Sequence, residues 1–86
     1  MHILKQVTAG TLESSDCLVL VSPCDHREVV LESVAKKRFG AHLNALINET
    51  LDALGVQTGR IEINDRGALD YCIRARISSA VQRSLA

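Results

Sequence analysis

The sequence predicts an α+β fold: a small antiparallel sheet of about four strands with two helices packed on one face. Two patterns support this prediction. Short apolar or alternating runs separated by turn-forming residues fill the first half of the chain, as expected for β-strands. In the second half, apolar residues recur at three- and four-residue steps, as they do on the buried face of a helix. Residues 1–86 show no linker, repeat or low-complexity segment, and 47% of them are hydrophobic, so we expect a single domain with one core.

The first half of the chain is predicted to contain three strands. Residues 2–9 (HILKQVTA) have a weak β pattern, and the glycine, serines and acids of Gly10–Asp16 (GTLESSD) predict a turn or exposed loop. The continuous apolar run of residues 17–21 (CLVLV) is typical of a buried strand. After a turn at residues 23–26, the valine-rich segment 27–34 is the third strand candidate.

The second half begins with the clearest helix of the sequence. One apolar stripe runs through residues 37–54, and Gly55 follows it, where a helix end favours a residue that tolerates positive φ. The alternating segment 60–64 (RIEIN) then predicts a fourth strand. The tail is ambiguous, because residues 69–75 alternate as a strand would. Its length and its Arg, Ala and Gln content favour a helix over residues 68–86.

Composition excludes several classes of protein. Ten basic and ten acidic residues cancel, and Phe39 and Tyr71 are the only aromatic residues, so neither a nucleic acid nor an anionic membrane is an expected partner. No run approaches the roughly 20 apolar residues of a membrane span, and the first ten residues do not resemble a secretory signal. The three cysteines, Cys17, Cys24 and Cys72, are irregularly spaced. They are best interpreted as reduced, buried or inert thiols of a cytoplasmic protein.

The sequence contains no recognisable catalytic or metal-binding constellation. It lacks GxGxxG, P-loop, HExxH and paired CxxC motifs. Cys24, Asp25 and His26 could contribute metal ligands, with His2 and His42 as remote additions. A zinc site, however, requires four ligands with a recognisable spacing, so a polar turn is the favoured interpretation. We therefore predict neither catalytic residues nor a metal.

One segment carries a resemblance to a known family. Residues 10–16, GTLESSD, resemble the modification segment of the acyl-carrier, or gamma, subunit of citrate lyase. The lead MHILKQVTA, the CLVLV strand and the helix start at Phe39-Gly40 fit this family too. The segment 62–70 (EINDRGALD), with Arg74-Ala75-Arg76 after it, is similar to the family's C-terminal region, and the length agrees. The resemblance therefore spans essentially the whole chain.

The resemblance implies a covalent carrier rather than an enzyme. In this family a serine, matched here by Ser14, forms a phosphodiester to 2'-(5''-phosphoribosyl)-3'-dephospho-CoA, which makes the subunit a phosphoprotein. The implied partners are the citrate lyase alpha subunit (acyl transferase), its beta subunit (citryl lyase) and a prosthetic-group transferase. The thiol of the group would carry acetyl and citryl units during citrate fermentation. The helical-bundle fold of fatty-acid carriers is not expected, because this chain is charge-neutral and β-rich at its start.

Several alternatives stay open at the level of the sequence. Ser14 and Ser15 are chemically equivalent, and only the match to the family motif selects Ser14. Glu13 and Asp16 are expected to repel an anionic phosphodiester mildly. The chain could also be the acyl-carrier subunit of malonate decarboxylase, or an unmodified α+β protein-interaction module that tolerates Ser14→Ala.

Overall fold

A computed structural model of the chain describes residues 1–85. Its elements follow the order β1–β2–β3–α1–β4–α2. Their bounds are β1 Val7–Gly10, β2 Cys17–Ser22, β3 Arg27–Ser33, α1 Lys36–Leu54, β4 Gly59–Asp65 and α2 Asp70–Ser84. The α+β class is confirmed, and the fold is not a helical bundle.

The sheet has four strands in the order β1-β2-β4-β3 and is mixed. Strand β2 is antiparallel to both β1 and β4, but β3 and β4 run parallel. The prediction of an antiparallel sheet was therefore wrong for this pair. Helix α1 connects β3 to β4 and returns the chain to the end of the sheet where β3 began, so the two strands point the same way.

The core lies between one face of the sheet and the two helices. Every second residue of β2 and of β4 is buried on this face, as the period of a strand requires. The apolar stripe of α1 and one side of α2 cover them, so both helices pack on one face as predicted. The largest fully buried apolar side chains are Val19, Val21, Ile47, Leu51, Ile61, Ile63, Ile73, Ile77 and Val81. The opposite face of the sheet carries the half-buried or exposed Leu18, Leu20 and Val30.

The two ends of helix α1 differ. Phe39 interrupts the first turn with non-helical angles (φ −123°, ψ 15°), and Gly55 closes the helix with φ 73°, as the sequence predicted. Near the C-terminal end of α1, the Arg27 guanidinium of β3 donates to the Asp52 carboxylate at 2.7 Å and to the backbone oxygen of Asn48 at 3.2 Å. This contact ties the helix to the edge strand.

The two ends of the chain differ in how well the sequence predicted them. Helix α2 occupies Asp70–Ser84, so residues 70–75 of the ambiguous segment are helical and Leu69 precedes the helix with extended angles. The first strand is shorter than the predicted range 2–9, because only Val7–Gly10 pair with β2. The residues before it are held differently: the Ile3 side chain enters the core, and its N–H donates to the Thr58 oxygen at 3.2 Å.

Three connections, β1–β2, β3–α1 and β4–α2, lie at the same end of the sheet. Cys17, the first residue of β2, pairs with Asp65, the last of β4, and Ser33 at the end of β3 lies beside the same residue. The first turns of α1 and α2 follow directly. We call this region, residues 11–16, 34–39 and 66–71, the loop end of the molecule.

Candidate functional site: the serine loop

The loop between β1 and β2 presents two serines at its tip. The Asp16 N–H donates to the Glu13 oxygen at 3.1 Å, which closes a turn with Ser14 and Ser15 as its central residues. Among residues 1–85, Ser15 is the one non-glycine residue with positive φ, at 68°. A positive φ at the second central position alone is the sign pattern of a type II turn. Both serines are exposed, in agreement with the predicted exposed loop.

Gly10 sets the start of the loop. It has φ 94°, and a Cβ at this position would fall onto the carbonyl oxygen of Cys17. That same oxygen accepts the Thr11 N–H at 3.2 Å, which closes the base of the loop. From the sequence, Gly10 was only one of the residues that predict a turn or exposed loop. The structure shows that the backbone requires glycine there, because the chain both turns left-handed and passes close to β2.

The carboxylate of Asp16 anchors the loop to helix α2. Arg76 donates from Nε to Oδ1 at 3.1 Å and from its terminal nitrogen to Oδ2 at 2.9 Å. Thr11 donates its hydroxyl to Oδ2 at 2.7 Å, and the Cys17 N–H donates to Oδ1 at 2.7 Å. These hydrogen bonds, that from Arg76 first, hold the pKa of Asp16 well below its usual range, while Asp16 raises the pKa of Arg76. The charge of Asp16 is thus matched within the fold, and Glu13 is the exposed carboxylate of the loop.

A second set of hydrogen bonds joins the loop to the connection between β4 and α2. The Ser15 N–H donates to the Arg66 oxygen, and the Arg66 N–H donates to the Asp16 oxygen, both at 2.9 Å. The buried Asp65 carboxylate accepts the Ser33 hydroxyl at 2.7 Å and the Ala68 N–H at 2.8 Å. The serine loop is therefore held on both sides by backbone that is itself fixed.

The Ser14 side chain takes no part in this framework. Within residues 1–85, the hydrogen bonds that fix the loop use the backbone of Ser15 and the side chains of Thr11 and Asp16. A group joined to the Ser14 oxygen would break none of them. The arrangement fits a covalently attached group at the tip, and the choice of Ser14 stays a prediction.

Sequence reasoning missed the residues that position the loop. Arg76 and Asp16 are 60 residues apart along the chain, the partners Ser33 and Asp65 are 32 apart, and no motif of the sequence links either pair. In the sequence, Arg76 stands out only as part of Arg74-Ala75-Arg76, in the segment similar to the family's C-terminal region. Only the packing of α2 beside β1 and β2 brings it to the loop.

The three cysteines are free thiols with different surroundings. Cys17 is fully buried at the start of β2, and burial raises its pKa to about 12, so it is protonated and unreactive near neutral pH. Cys72 is half-buried, with its sulfur 3.5 Å from an Asp16 oxygen. Cys24 is also half-buried, in the turn before β3.

The turn that could supply metal ligands brings three side chains together. Cys24 Sγ, a nitrogen of His26 and a carboxylate oxygen of Glu28 lie within 4.8 Å of one another. The ring of His26 is also bound to Asp25, with Nδ1 2.6 Å from the carboxylate, and this contact raises the pKa of His26. The remote candidates do not join: His2 contacts Thr58, and His42 contacts Asp70. The absence of a metal stays a prediction.

Neither helix within residues 1–85 is both long and apolar enough to cross a membrane.

Comparisons with known proteins identify the class of protein as the acyl carriers, here with an α+β fold. Residues 4–84 match the model of an acyl-carrier family described as malonate decarboxylase delta subunit (MdcD). Proteins named citrate lyase acyl carrier protein are 53% identical over 85 residues in Pectobacterium carotovorum and 48% identical over 87 residues in Albidiferax ferrireducens. These matches cover 98% and 99% of this chain and 88% and 89% of the relatives. The chain belongs to the citrate lyase acyl carrier protein family, which confirms the resemblance.

A solved structure has the same fold. It is the crystal structure of a Pseudomonas malonate decarboxylase hetero-tetramer in complex with malonate, matched with a TM-score of 0.81. The match covers 98% of this chain and 88% of the other chain, at 17% identity. At that identity the likeness shows the fold alone.

Proposed function

We propose that this carrier holds 2'-(5''-phosphoribosyl)-3'-dephospho-CoA on Ser14 and serves a citrate lyase. The observation that carries the proposal is an exposed serine at the tip of a loop that is hydrogen-bonded on both sides. A carrier site must be reached by one enzyme for attachment and then be presented to others, and an exposed loop on a rigid scaffold suits this use. The proposal treats residues 1–86 as one carrier domain in the cytoplasm, where free thiols stay reduced.

Attachment would use the Ser14 hydroxyl and an activated phosphoryl donor. The Ser14 oxygen forms a bond to the donor's phosphorus, and the bond from that phosphorus to its leaving phosphate group breaks. The hydroxyl proton passes to a base of the prosthetic-group transferase or to water. The fold supports this step by directing the Asp16 carboxylate towards Arg76, so that it does not stand as a free charge beside the incoming phosphate.

The attached group would supply the thiol that carries acetyl and citryl units between the alpha (acyl transferase) and beta (citryl lyase) subunits, while citrate is cleaved to oxaloacetate and acetate. This chain would contribute attachment and position. Tethering raises the effective concentration of the thioester at both active sites. No acid, base or nucleophile of this chain is assigned to the cleavage itself.

The test is the intact mass of the chain isolated from its native host during citrate fermentation, followed by fragmentation of the peptide that contains Ser14. We expect a mass increase equal to the phosphoribosyl dephospho-CoA group, located on Ser14 and absent from Ser14→Ala.

Ser15→Gly is the matched control for this test. Glycine suits the positive φ at Ser15, so the variant removes the neighbouring hydroxyl without disturbing the turn. It should be modified as fully as the wild type. An unmodified chain from cells with active citrate lyase would contradict the proposal. Full modification of Ser14→Ala would show that the group is attached to another residue.

Malonate decarboxylase offers a second candidate function. The matching family model and the structural neighbour both carry that name, although the neighbour is only 17% identical. The relatives at 53% and 48% identity favour citrate lyase. Identification of the catalytic subunits that co-purify with the chain separates the two. An unmodified interaction module would instead show no mass increase and would tolerate Ser14→Ala in growth on citrate.

A further inference from the structure

The loop end carries a surplus of positive charge, although the whole chain is neutral. Its four exposed cations are Lys36, Lys37, Arg38 and Arg66. Against them stand the exposed Glu13 and the half-buried Asp70, and Asp70 is already bound to His42 at 2.8 Å. Asp16, the remaining carboxylate of this end, is paired with Arg76, and the adjacent buried Asp65 accepts a hydrogen bond from Ser33. The loop end therefore has more exposed cations than exposed carboxylates.

The same end exposes large apolar side chains. Phe39 and Tyr71 are the only aromatic residues of the chain, and both are outside the core, 48% and 69% exposed. The other large apolar side chains exposed at this end are Leu12, Val34 and Leu69. Aromatic residues and arginine are enriched at protein interfaces.

The start of α1 is arranged against the usual preference of a helix. Lys36, Lys37 and Arg38 occupy the first turn, which has neither an acidic residue nor a side-chain cap. Cations are unfavourable at a helix N-terminus, where the dipole is positive. The interruption at Phe39 separates this turn from the rest of the helix, and the Arg38 guanidinium lies 5.2 Å from the centre of the Phe39 ring. Helix stability does not explain this turn, whereas recognition of an acidic surface does.

We propose that the loop end is the docking surface for the enzyme that modifies Ser14, and that this enzyme presents an acidic surface around an apolar recess. This inference rests on the proposed function. Because the serine loop is fixed against α2 and the β4–α2 connection, Ser14 cannot extend far from the fold towards a distant active site. The modifying enzyme must therefore come to the loop end itself. Subunits that act later on the thiol of a long arm need not contact this surface.

The experiment measures binding of the apo carrier to the purified prosthetic-group transferase by calorimetry, with no donor nucleotide present. The test variants are the triple substitution Lys36→Glu, Lys37→Glu, Arg38→Glu and the single substitution Phe39→Ala. Matched controls at the opposite end of the sheet are Lys5→Glu and Leu4→Ala, both at exposed positions before β1. Circular dichroism and urea denaturation confirm that each variant is folded.

We expect the triple variant to bind the transferase at least about tenfold more weakly at low salt, and Phe39→Ala about tenfold more weakly at any salt. The controls should stay within about twofold of the wild type. The rate of Ser14 modification at limiting carrier should fall in parallel.

Two outcomes would overturn the inference while leaving the carrier role intact. In the first, the wild type is modified on Ser14 and all variants bind the transferase equally. In the second, the variants bind the transferase as tightly as the wild type, and only the KM for the donor nucleotide rises. That result would show that the cations bind the donor's phosphates. Failure of the wild type to be modified at all would instead contradict the proposed function, and the docking surface with it.

Discussion

The carboxylate of Asp16 shows how much of the site depends on one side chain. It accepts hydrogen bonds from its own loop, from the start of β2 and from Arg76 of α2, and these partners hold its pKa well below the usual range. A carboxylate whose pKa is lower in the folded than in the unfolded state stabilises the fold only while it is ionised. Its contribution is thus present above the unfolded pKa, near 3.9, and is lost as the pH falls further.

We therefore predict that Asp16 makes the protein sensitive to acid. Between about pH 5 and pH 2, the free energy of unfolding of the wild type should fall more steeply than that of Asp16→Asn, because the wild type alone must protonate this carboxylate. Urea denaturation at a series of pH values measures the difference. In an Arg76→Gln background, the substitution Asp16→Asn should change the slope much less. If the free energy of unfolding falls equally with pH in the wild type and in Asp16→Asn, the Asp16–Arg76 pair does not cause the sensitivity to acid.

At the scale of single residues, the sequence predicted the exposed serine turn but not the contacts that fix it. GTLESSD is a local signal, and the exposed turn it predicted is present. The contacts that fix the turn come from Arg76 and Arg66, which lie far along the chain. Pairing at such separations depends on how helices and strands pack, and a single sequence contains no periodic signal for it.

The β1–β2 connection is the element on which presentation of the serine depends. Gly10 closes it by turning left-handed beside Cys17, whose carbonyl oxygen leaves no room for a side chain. The element therefore requires glycine for two reasons, its φ angle and its contact distance. Gly55, at the end of α1, shares the positive φ, but open space surrounds the position of its missing Cβ.

This contrast predicts different costs for the same substitution. Gly10→Ala should lower the free energy of unfolding by about 3 kcal/mol or more, because the left-handed strain adds to a displaced strand. Gly55→Ala should cost about 1–2 kcal/mol, from the φ angle alone. Chemical denaturation of both variants measures the two values. Equal losses would show that the close approach to Cys17 is relieved without cost.

Among the elements, those with strong periodicity were predicted closely. Helix α1 and strand β4 lie within one residue of their predicted bounds, and the ambiguous tail becomes helix α2. The parallel pairing of β3 and β4 was missed, because the direction of a strand depends on the length and path of the connecting helix. The first strand was predicted too long, since residues 1–3 are held by the core contact of Ile3 and by backbone hydrogen bonds to Gln57 and Thr58, outside the pairing with β2.

For the molecule as a whole, the two faces of the sheet have different roles. One face is covered by both helices, and the other carries half-buried or exposed side chains such as Leu20. Ile61 on β4 faces the helices and is fully buried. Because the chain has a single small core without aromatic residues, its stability depends on close packing of these aliphatic side chains.

Truncation of one side chain on each face should reveal this asymmetry. We predict that Ile61→Ala lowers the free energy of unfolding by about 2–5 kcal/mol, because it leaves a cavity between sheet and helices. Leu20→Ala, on the open face, should lower the free energy of unfolding by about 1 kcal/mol. Leu20 is only half-buried, so its truncation removes little buried apolar surface. Urea denaturation of both variants provides the comparison. A loss at Leu20 as large as that at Ile61 would mean that the open face is covered in solution.

The strand order has a further consequence for the ways in which other chains can associate with this one. Strands β1 and β3 form the two edges of the sheet in residues 1–85. The β1 edge is only four residues long, and the β3 edge carries the charged residues Arg27, Glu28 and Glu32. A short edge, like that of β1, and a charged edge, like that of β3, both disfavour the addition of a foreign strand. We therefore expect partners to recognise this carrier through its side chains, and expect the isolated chain to resist edge-to-edge aggregation at high concentration.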